Sequence, residues 1–232
     1  IVKTQSEDGF SIHADSIIEA ITPRTKAIII NSPANPTGAL IEESELARVA
    51  EAASTHGVWV IVDLCYEQLI YDKQAHNLVK ILFDRMRDRT VIAGSASKSY
   101  AMTGLRCGWT IGPPELIKAC NTILSHATSN VSSITQKAAL AALAGPQDDV
   151  TKMLNEYRVR RDNMHEWLTS HPRIKCVRPK GAFYLCFCKT MQLCVKYNKN
   201  PLFWPVGDPC RGKIPGQNVY FIDISVKICK IM

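Results

Sequence analysis

Three short apolar runs, each closing on polar residues, limit what this chain can fold into. They are KAIIIN (residues 26–31), VWVIVD (58–63) and TVIAGS (90–95). The first two are continuous rather than alternating and rich in Ile and Val, as expected of strands buried on both faces of a parallel sheet. Between them lie a turn rich in Pro, Asn and Gly, SPANPTG (32–38), and a stretch with helical spacing, residues 42–57. In the latter, Leu46, Val49, Ala50 and Ala53 share one face, acids open the segment and Gly57 stops it. Such β–loop–α–β alternation predicts an open α/β sheet, where ligands bind beyond the carboxyl ends of the strands. Asn31 and Asn35 follow the first run, Asp63 and Tyr66 the second, and Ser95 to Lys98 the third. A parallel sheet gathers all three groups on one rim.

The remaining chain divides into further elements. Residues 11–24 read as a short amphipathic helix ended near Pro23, and CGWTIG (107–112) as a fourth strand. Helices are predicted over 113–127, 132–143 and 147–170. The last is long and charged, with Met153, Leu154, Tyr157, Met164, Trp167 and Leu168 as its apolar face. IKCV and AFYLCF, joined by a turn at Pro179, Lys180 and Gly181, read as two strands. These features predict two bodies: a large α/β body over 1–145, then the long helix and part of a smaller α+β body over 146–188. Residues 189–232 show no clear periodicity and receive no role.

Composition narrows the function. The chain has 232 residues, of which 46% are hydrophobic and 21% charged, a core-forming balance. The net charge is +7, but from Cys186 onward seven Lys/Arg face two Asp/Glu, so the excess sits in the tail. With no long basic run and no zinc-finger spacing, nucleic acid is not an expected partner. No apolar run approaches the roughly eighteen residues of a membrane helix, and no signal peptide opens the chain. The opening, IVKTQSEDGF, has no methionine and reads as though cut from a longer protein. Cys65, Cys107, Cys120 and Cys176 stand singly in apolar contexts, as buried reduced thiols of a cytoplasmic protein do. No metal-ligand spacing is present; Cys186 and Cys188 lack a second pair or a histidine at ligand distance.

The chemistry centres on residues 92–108, IAGSASKSYAMTGLRCG. A lysine amine, here Lys98, can bond an aldehyde covalently. Hydroxyls such as Ser95 and Ser97, and a guanidinium such as Arg106 eight residues on, can hold a phosphate. An aldehyde and a phosphate on one small molecule describe pyridoxal 5′-phosphate. Each residue also has a plainer reading: Lys98 a solvated loop lysine, Ser97 a helix cap, Arg106 a surface ion pair, Asp63 a turn cap, Asn35 ordinary turn chemistry, and Tyr66 a half-buried core aromatic.

The blocks NSPANPTG (31–38), VIVDLCYEQL (60–69), SASK (95–98) and the arginine at 106, in that order, resemble the signature blocks of class I/II aminotransferases, the fold-type I pyridoxal-phosphate enzymes. The resemblance runs from about residue 9 to 185 and includes KGAFYL, similar to a strand of the family's small domain. NSPANPTG and AMTGLR look most like the aspartate/aromatic subgroup. The resemblance implies pyridoxal 5′-phosphate as cofactor, an amino acid and a 2-oxo acid as substrates, and a homodimer in the full-length protein. It implies Lys98 as the cofactor lysine and proton carrier, Asp63 beside the ring nitrogen, Asn35 and Tyr66 at the phenolic oxygen, and Ser95, Ser97 and Arg106 at the phosphate. The loop AMTGLR is expected to be shaped by Gly104. Two alternatives stay open: another reaction of the same cofactor, a carbon–sulfur lyase or aminocyclopropane-carboxylate-synthase type elimination, and a non-catalytic remnant. The family's upstream part of the large domain has no counterpart here. Its C-terminal arginine for the substrate carboxylate has none either; NVYFIDISVK lacks one, and Arg178 and Arg211 are poor substitutes in context.

Overall fold

The structure, a computed structural model, describes residues 1–72, 76–189 and 219–223, with the backbone alone at 188, 189 and 219–223. Four strands form the first sheet: β1 (Ala27–Asn31), β2 (Trp59–Asp63), β3 (Thr90–Ser95) and β4 (Gly108–Ile111), in that spatial order. The first three are parallel and β4 returns antiparallel to β3. Register places Asn31 opposite Asp63, and Asp63 opposite Ala93, so the polar strand ends do share one rim.

One face of this sheet is packed. Helix α1 (Ala14–Glu19) lies on α2 (Glu43–Thr55), which lies on α3 (Leu78–Met86). Leu46, Val49, Ala50 and Ala53 of α2 meet Leu78, Leu82 and Met86 of α3, and both meet Ile30, Val60, Val62 and Ile92 of the strands. Glu43 and Glu45 in the first turn of α2 suit the positive end of its dipole. Helix α1 is shorter than the predicted span of 11–24. Helix α3 was not anticipated, although Leu78, Leu82 and Met86 recur every fourth residue on one helical face.

The other face differs from expectation. Burial on both faces is not found for β1, where Ile29 is 72% exposed, because among the described residues no helix packs on that side of β1. Helix α5 (Pro114–Ala127) buries none of its residues, and α6 (Ser133–Ala144) buries only Thr135 and Ala139. Close approach elsewhere depends on glycine: a Cβ at Gly94 of β3 would meet the Trp109 indole at 2.1 Å.

A second sheet has the order β5 (Ile174–Cys176), β6 (Tyr184–Lys189), β7 (Val219–Asp223), all antiparallel. Strand β7 falls in the tail for which the sequence suggested no role. The long helix α7 (Asp148–Thr169) packs on β5 and β6. Met153, Leu154, Tyr157, Met164 and Leu168 join that core with Leu185 and Phe183. Trp167 does not; it is 53% exposed. The remaining helix, α4 (Ala96–Ser99), is a single turn after β3.

The two sheets meet at two turns. Backbone N–H groups of Lys180 and Gly181 both donate to Gly38 O, at 3.1 and 2.9 Å, and Ala182 N–H donates to Leu69 O at 2.9 Å. Gly38 has a left-handed φ of +68°, and an added Cβ would strike Pro179 and Gly181, so the turn requires glycine. Peptide bonds Ser32–Pro33 and Asn35–Pro36 are cis. Among the described residues, no helix is long and apolar enough to cross a membrane.

Candidate functional site

The turn after β1 is tied to the end of β2. Asn31 Nδ2 donates to Asp63 O at 3.2 Å, and the Ser32 N–H reaches the same oxygen at 3.2 Å. Asn31 Oδ1 accepts the Asn35 N–H at 2.6 Å, which fixes where the Asn35 side chain starts. Ser32, fully buried, accepts the Ile41 N–H on its hydroxyl at 3.0 Å and pairs with His76 Nε2 at 3.1 Å. Thus one short polar ladder holds Asn35 over the carboxyl ends of the strands.

Three side chains converge there. Asn35 Nδ2 donates to Tyr66 Oη and to Tyr184 Oη, each at 3.4 Å, and the two tyrosine hydroxyls are 3.0 Å apart. Burial first, then the Tyr184 hydroxyl, push the Tyr66 phenol well above its ordinary value, and the Asn35 amide pulls the other way. Tyr66 therefore stays a neutral donor at any physiological pH. Its ring meets Phe183 edge-on at 5.3 Å.

Lys98 stands on the same aromatic cluster, its Nζ 5.4 Å from the centre of the Phe183 ring. Asp63 Oδ1 accepts the Cys65 N–H at 2.9 Å. Burial and then the Asp63 carboxylate raise the Cys65 thiol, while the Lys98 ammonium and Ser95 lower it. Both charges are therefore felt at one thiol, which puts carboxylate and amine in the neighbourhood of Cys65. Ser95 caps the turn of α4, accepting the Ser97 N–H at 3.0 Å and donating to Cys107 O at 3.3 Å. Ser97 is buried beside it, and its carbonyl accepts from the Thr103 hydroxyl at 3.1 Å.

Arg106 is not drawn into this group. It is exposed, left-handed at φ +54°, and its Nη1 donates to Thr103 O at 3.1 Å. The loop is not shaped by Gly104, which carries no unusual φ and has nothing within 4 Å of an added Cβ; Ala101 and Arg106 take the left-handed turns instead. Arg178 is engaged elsewhere, with its Nη2 2.7 Å from Asp162 Oδ1, and Arg211 lies outside the described residues. Of the cysteines read as buried, Cys120 is exposed and Cys65, Cys107 and Cys176 are half-buried.

Sequence reasoning missed Tyr184 and Phe183, and it placed Asn31 on the rim without seeing that it anchors Asn35. The signal for the first two was the paired aromatics of GAFYL just after the Pro-Lys-Gly turn. A strand points adjacent side chains to opposite faces, but the turn delivers Phe183 before β6 begins, so both rings reach Tyr66.

The donor set suits a flat heterocycle with an aldehyde. It contains an amine, a carboxylate, an amide N–H, a phenol and two hydroxyls, each of the type that one edge of pyridoxal phosphate requires.

Comparison with known proteins follows the same line. The model of the family described as aminotransferase class I and II matches residues 1–196. The aspartate aminotransferase of Geobacillus stearothermophilus is 42% identical over 184 residues, 79% of this chain and 47% of that protein. The aspartate/prephenate aminotransferase of Cereibacter sphaeroides is 42% identical over 180 residues, 77% of this chain and 45% of that protein. Among solved structures, the aspartate aminotransferase of Rhizobium meliloti superposes with a TM-score of 0.76 at 37% identity, over 80% of this chain and 47% of that one. The Thermus thermophilus aspartate aminotransferase with maleate gives 0.73 at 37% identity, over 80% and 48%. The chain thus spans about half the length of the curated relatives it matches.

Proposed function

The chain belongs to the aminotransferase class I and II family, and from that premise we propose that its residues hold pyridoxal 5′-phosphate and serve amino-group transfer between an amino acid and a 2-oxo acid. The observation that carries the proposal is the convergence of Asn35, Tyr66, Asp63 and Lys98 from three separate strand ends onto one rim. Relatives named aspartate aminotransferase support aspartate as the first amino donor to try.

When bound, the cofactor supplies a protonated ring that accepts the electron pair left when a bond at the substrate α-carbon breaks. Asp63 is assigned to the ring nitrogen, because a neighbouring negative charge favours the protonated form. Its Oδ1 is already oriented by the Cys65 N–H. Asn35 and Tyr66 are assigned as donors to the phenolic oxygen, which they stabilise as an anion. Lys98 is assigned to hold the aldehyde carbon and, when released, to carry the proton to and from the substrate α-carbon. Ser95, Ser97 and Arg106 are assigned to the phosphate. Arg106 has five N–H donors, of which the bond to Thr103 O uses one. Its approach to Ser95 and Ser97 requires the side chain to turn inward.

The same reading divides the chain into a partial cofactor-binding body over 1–145 and a bridging helix with part of a smaller body over 146–188. A homodimer of the full-length protein belongs to it as well. A reducing compartment such as the cytoplasm belongs to the same reading, as the cysteines that stand singly along the sequence suggest.

The test is amino exchange. Chain saturated with pyridoxal 5′-phosphate is incubated with aspartate and a 2-oxo acid, and the new amino acid is quantified. The proposal expects exchange that Lys98→Ala abolishes. Release of ammonia or a thiol without exchange points to elimination chemistry on the same lysine, and no reaction with any donor overturns the catalytic assignment for this chain.

A further inference from the structure

We infer that Tyr184 is a positioning residue for the cofactor's phenolic oxygen, acting through Tyr66: its hydroxyl donates to Tyr66 Oη and so turns the Tyr66 proton toward the ligand. The inference rests on the cofactor reading above.

A phenol carries one hydrogen and can accept at its oxygen. The hydroxyls of Tyr66 and Tyr184 are 3.0 Å apart, so one hydrogen lies between them and one remains. The Asn35 amide nitrogen, 3.4 Å from each, can only donate and leaves both hydrogens unclaimed. If Tyr66 gives its hydrogen to Tyr184, it has none for a ligand. If Tyr184 gives its hydrogen to Tyr66, the Tyr66 hydrogen points outward and is strengthened by the bond it accepts. An anionic oxygen beside Tyr66 selects the second arrangement, because only that one presents it with a proton. The two Asn35 contacts are long, so an incoming oxygen can take over one amide hydrogen while the shorter tyrosine pair persists.

The placement of Tyr184 is specific. It opens β6 of the second sheet, whereas Tyr66 follows β2 of the first. Phe183 holds both rings, at 5.3 Å from Tyr66 and 4.9 Å from Tyr184. The groups acting on Tyr66 are Tyr184 from β6, Cys65 next in sequence and Asn35 from the turn after β1; with no ligand beside it the Tyr184 hydroxyl raises the Tyr66 pKa, as an acceptor of its hydrogen does, so the anionic oxygen reverses the pair. Lys98 faces the far partner, Phe183. Tyr184 therefore joins the second sheet to the assigned cofactor site through its hydroxyl, which meets Tyr66 and Asn35.

The experiment is a pH titration of the visible absorbance of the chain saturated with pyridoxal 5′-phosphate. Tyr184→Phe keeps the ring and removes the hydroxyl. We expect the midpoint to rise in Tyr184→Phe by a few tenths of a pH unit, less than in Tyr66→Phe, since a weaker donor leaves the oxygen more basic. In the Tyr66→Phe background, Tyr184→Phe should add no shift, because the path is gone. An unshifted midpoint in Tyr184→Phe, or an equal shift with and without the Tyr66 hydroxyl, overturns the inference alone. If the unaltered chain develops no visible band, the cofactor reading fails and the inference with it.

Discussion

Arg161 illustrates how much one side chain can hold together. It is 1% exposed, with its Cζ over the Tyr71 ring at 4.4 Å from the ring centre. Its Nη1 donates to Pro179 O at 3.1 Å, and its Nε to Asp162 Oδ1 at 2.8 Å. It thereby fastens α7 to the turn that leads into Phe183 and Tyr184. Burial alone would raise the Asp162 carboxyl, but hydrogen bonds from Arg161 and Arg178 outweigh it and hold the carboxyl below its ordinary range. Among the described residues, Nη2 of Arg161 is buried without a hydrogen-bond partner, so the site is not fully compensated. Arg161→Ala should cost about 3 kcal/mol in urea unfolding, because it removes the stacked guanidinium and leaves Pro179 O unpaired. Arg161→Met, which refills the volume without a charge, should cost less than half as much. Equal costs would mean that packing contributes nothing. None of this was legible in the sequence, where Arg161 is one of several charges on a long helix. Asn35, Asp63, Tyr66, Ser95, Ser97 and Lys98 could be picked out because they follow apolar runs, whereas Arg106 rested on its spacing from Lys98.

The turn after β1 is the element on which the site depends, and its hidden support is His76. Its Nε2 pairs with the Ser32 hydroxyl, and Ser32 in turn holds Ile41 and Asp63 by backbone bonds. Burial lowers the His76 pKa from its ordinary 6.5, against smaller opposing effects of the Ser32 carbonyl, Glu43 and Glu42. The unfolded chain therefore binds a proton at His76 more readily than the folded one. Stability is complete above pH 6.5 and declines as pH falls below it toward the lower folded value. Urea unfolding of the parent and of His76→Gln should diverge in that window, with the parent losing stability as pH drops and the variant staying flatter. Parallel curves would exclude a strained neutral His76. At this scale the sequence was informative about strands and long helices. It was less so about α3, a helix of nine residues whose N-cap, Asn77, makes no side-chain cap bond, and about loop shape, which Ala101 and Arg106 set rather than Gly104.

At the scale of the whole molecule, the first sheet is asymmetric. Its packed face carries α1, α2 and α3, while the other leaves Ile29 of β1 72% exposed and α5 with no buried residue. Burial on both faces was expected from the run AIIIN, since composition reports a strand's preference and not whether a partner layer is at hand. Ile29→Lys should therefore change unfolding free energy by no more than about 0.5 kcal/mol. A Val60→Lys control on the packed face should abolish cooperative folding, since Val60 is fully buried. A large loss for Ile29→Lys would show that the open face is covered in solution.

Lys98 is proposed as the lysine that bonds the cofactor. Borohydride reduction of the chain with one equivalent of pyridoxal 5′-phosphate, followed by peptide mass spectrometry, addresses it directly. The account predicts one reduced adduct, on the peptide containing Lys98. Adducts spread over exposed lysines such as Lys80 and Lys152, at 75% and 76% exposure, with none at Lys98, would contradict it.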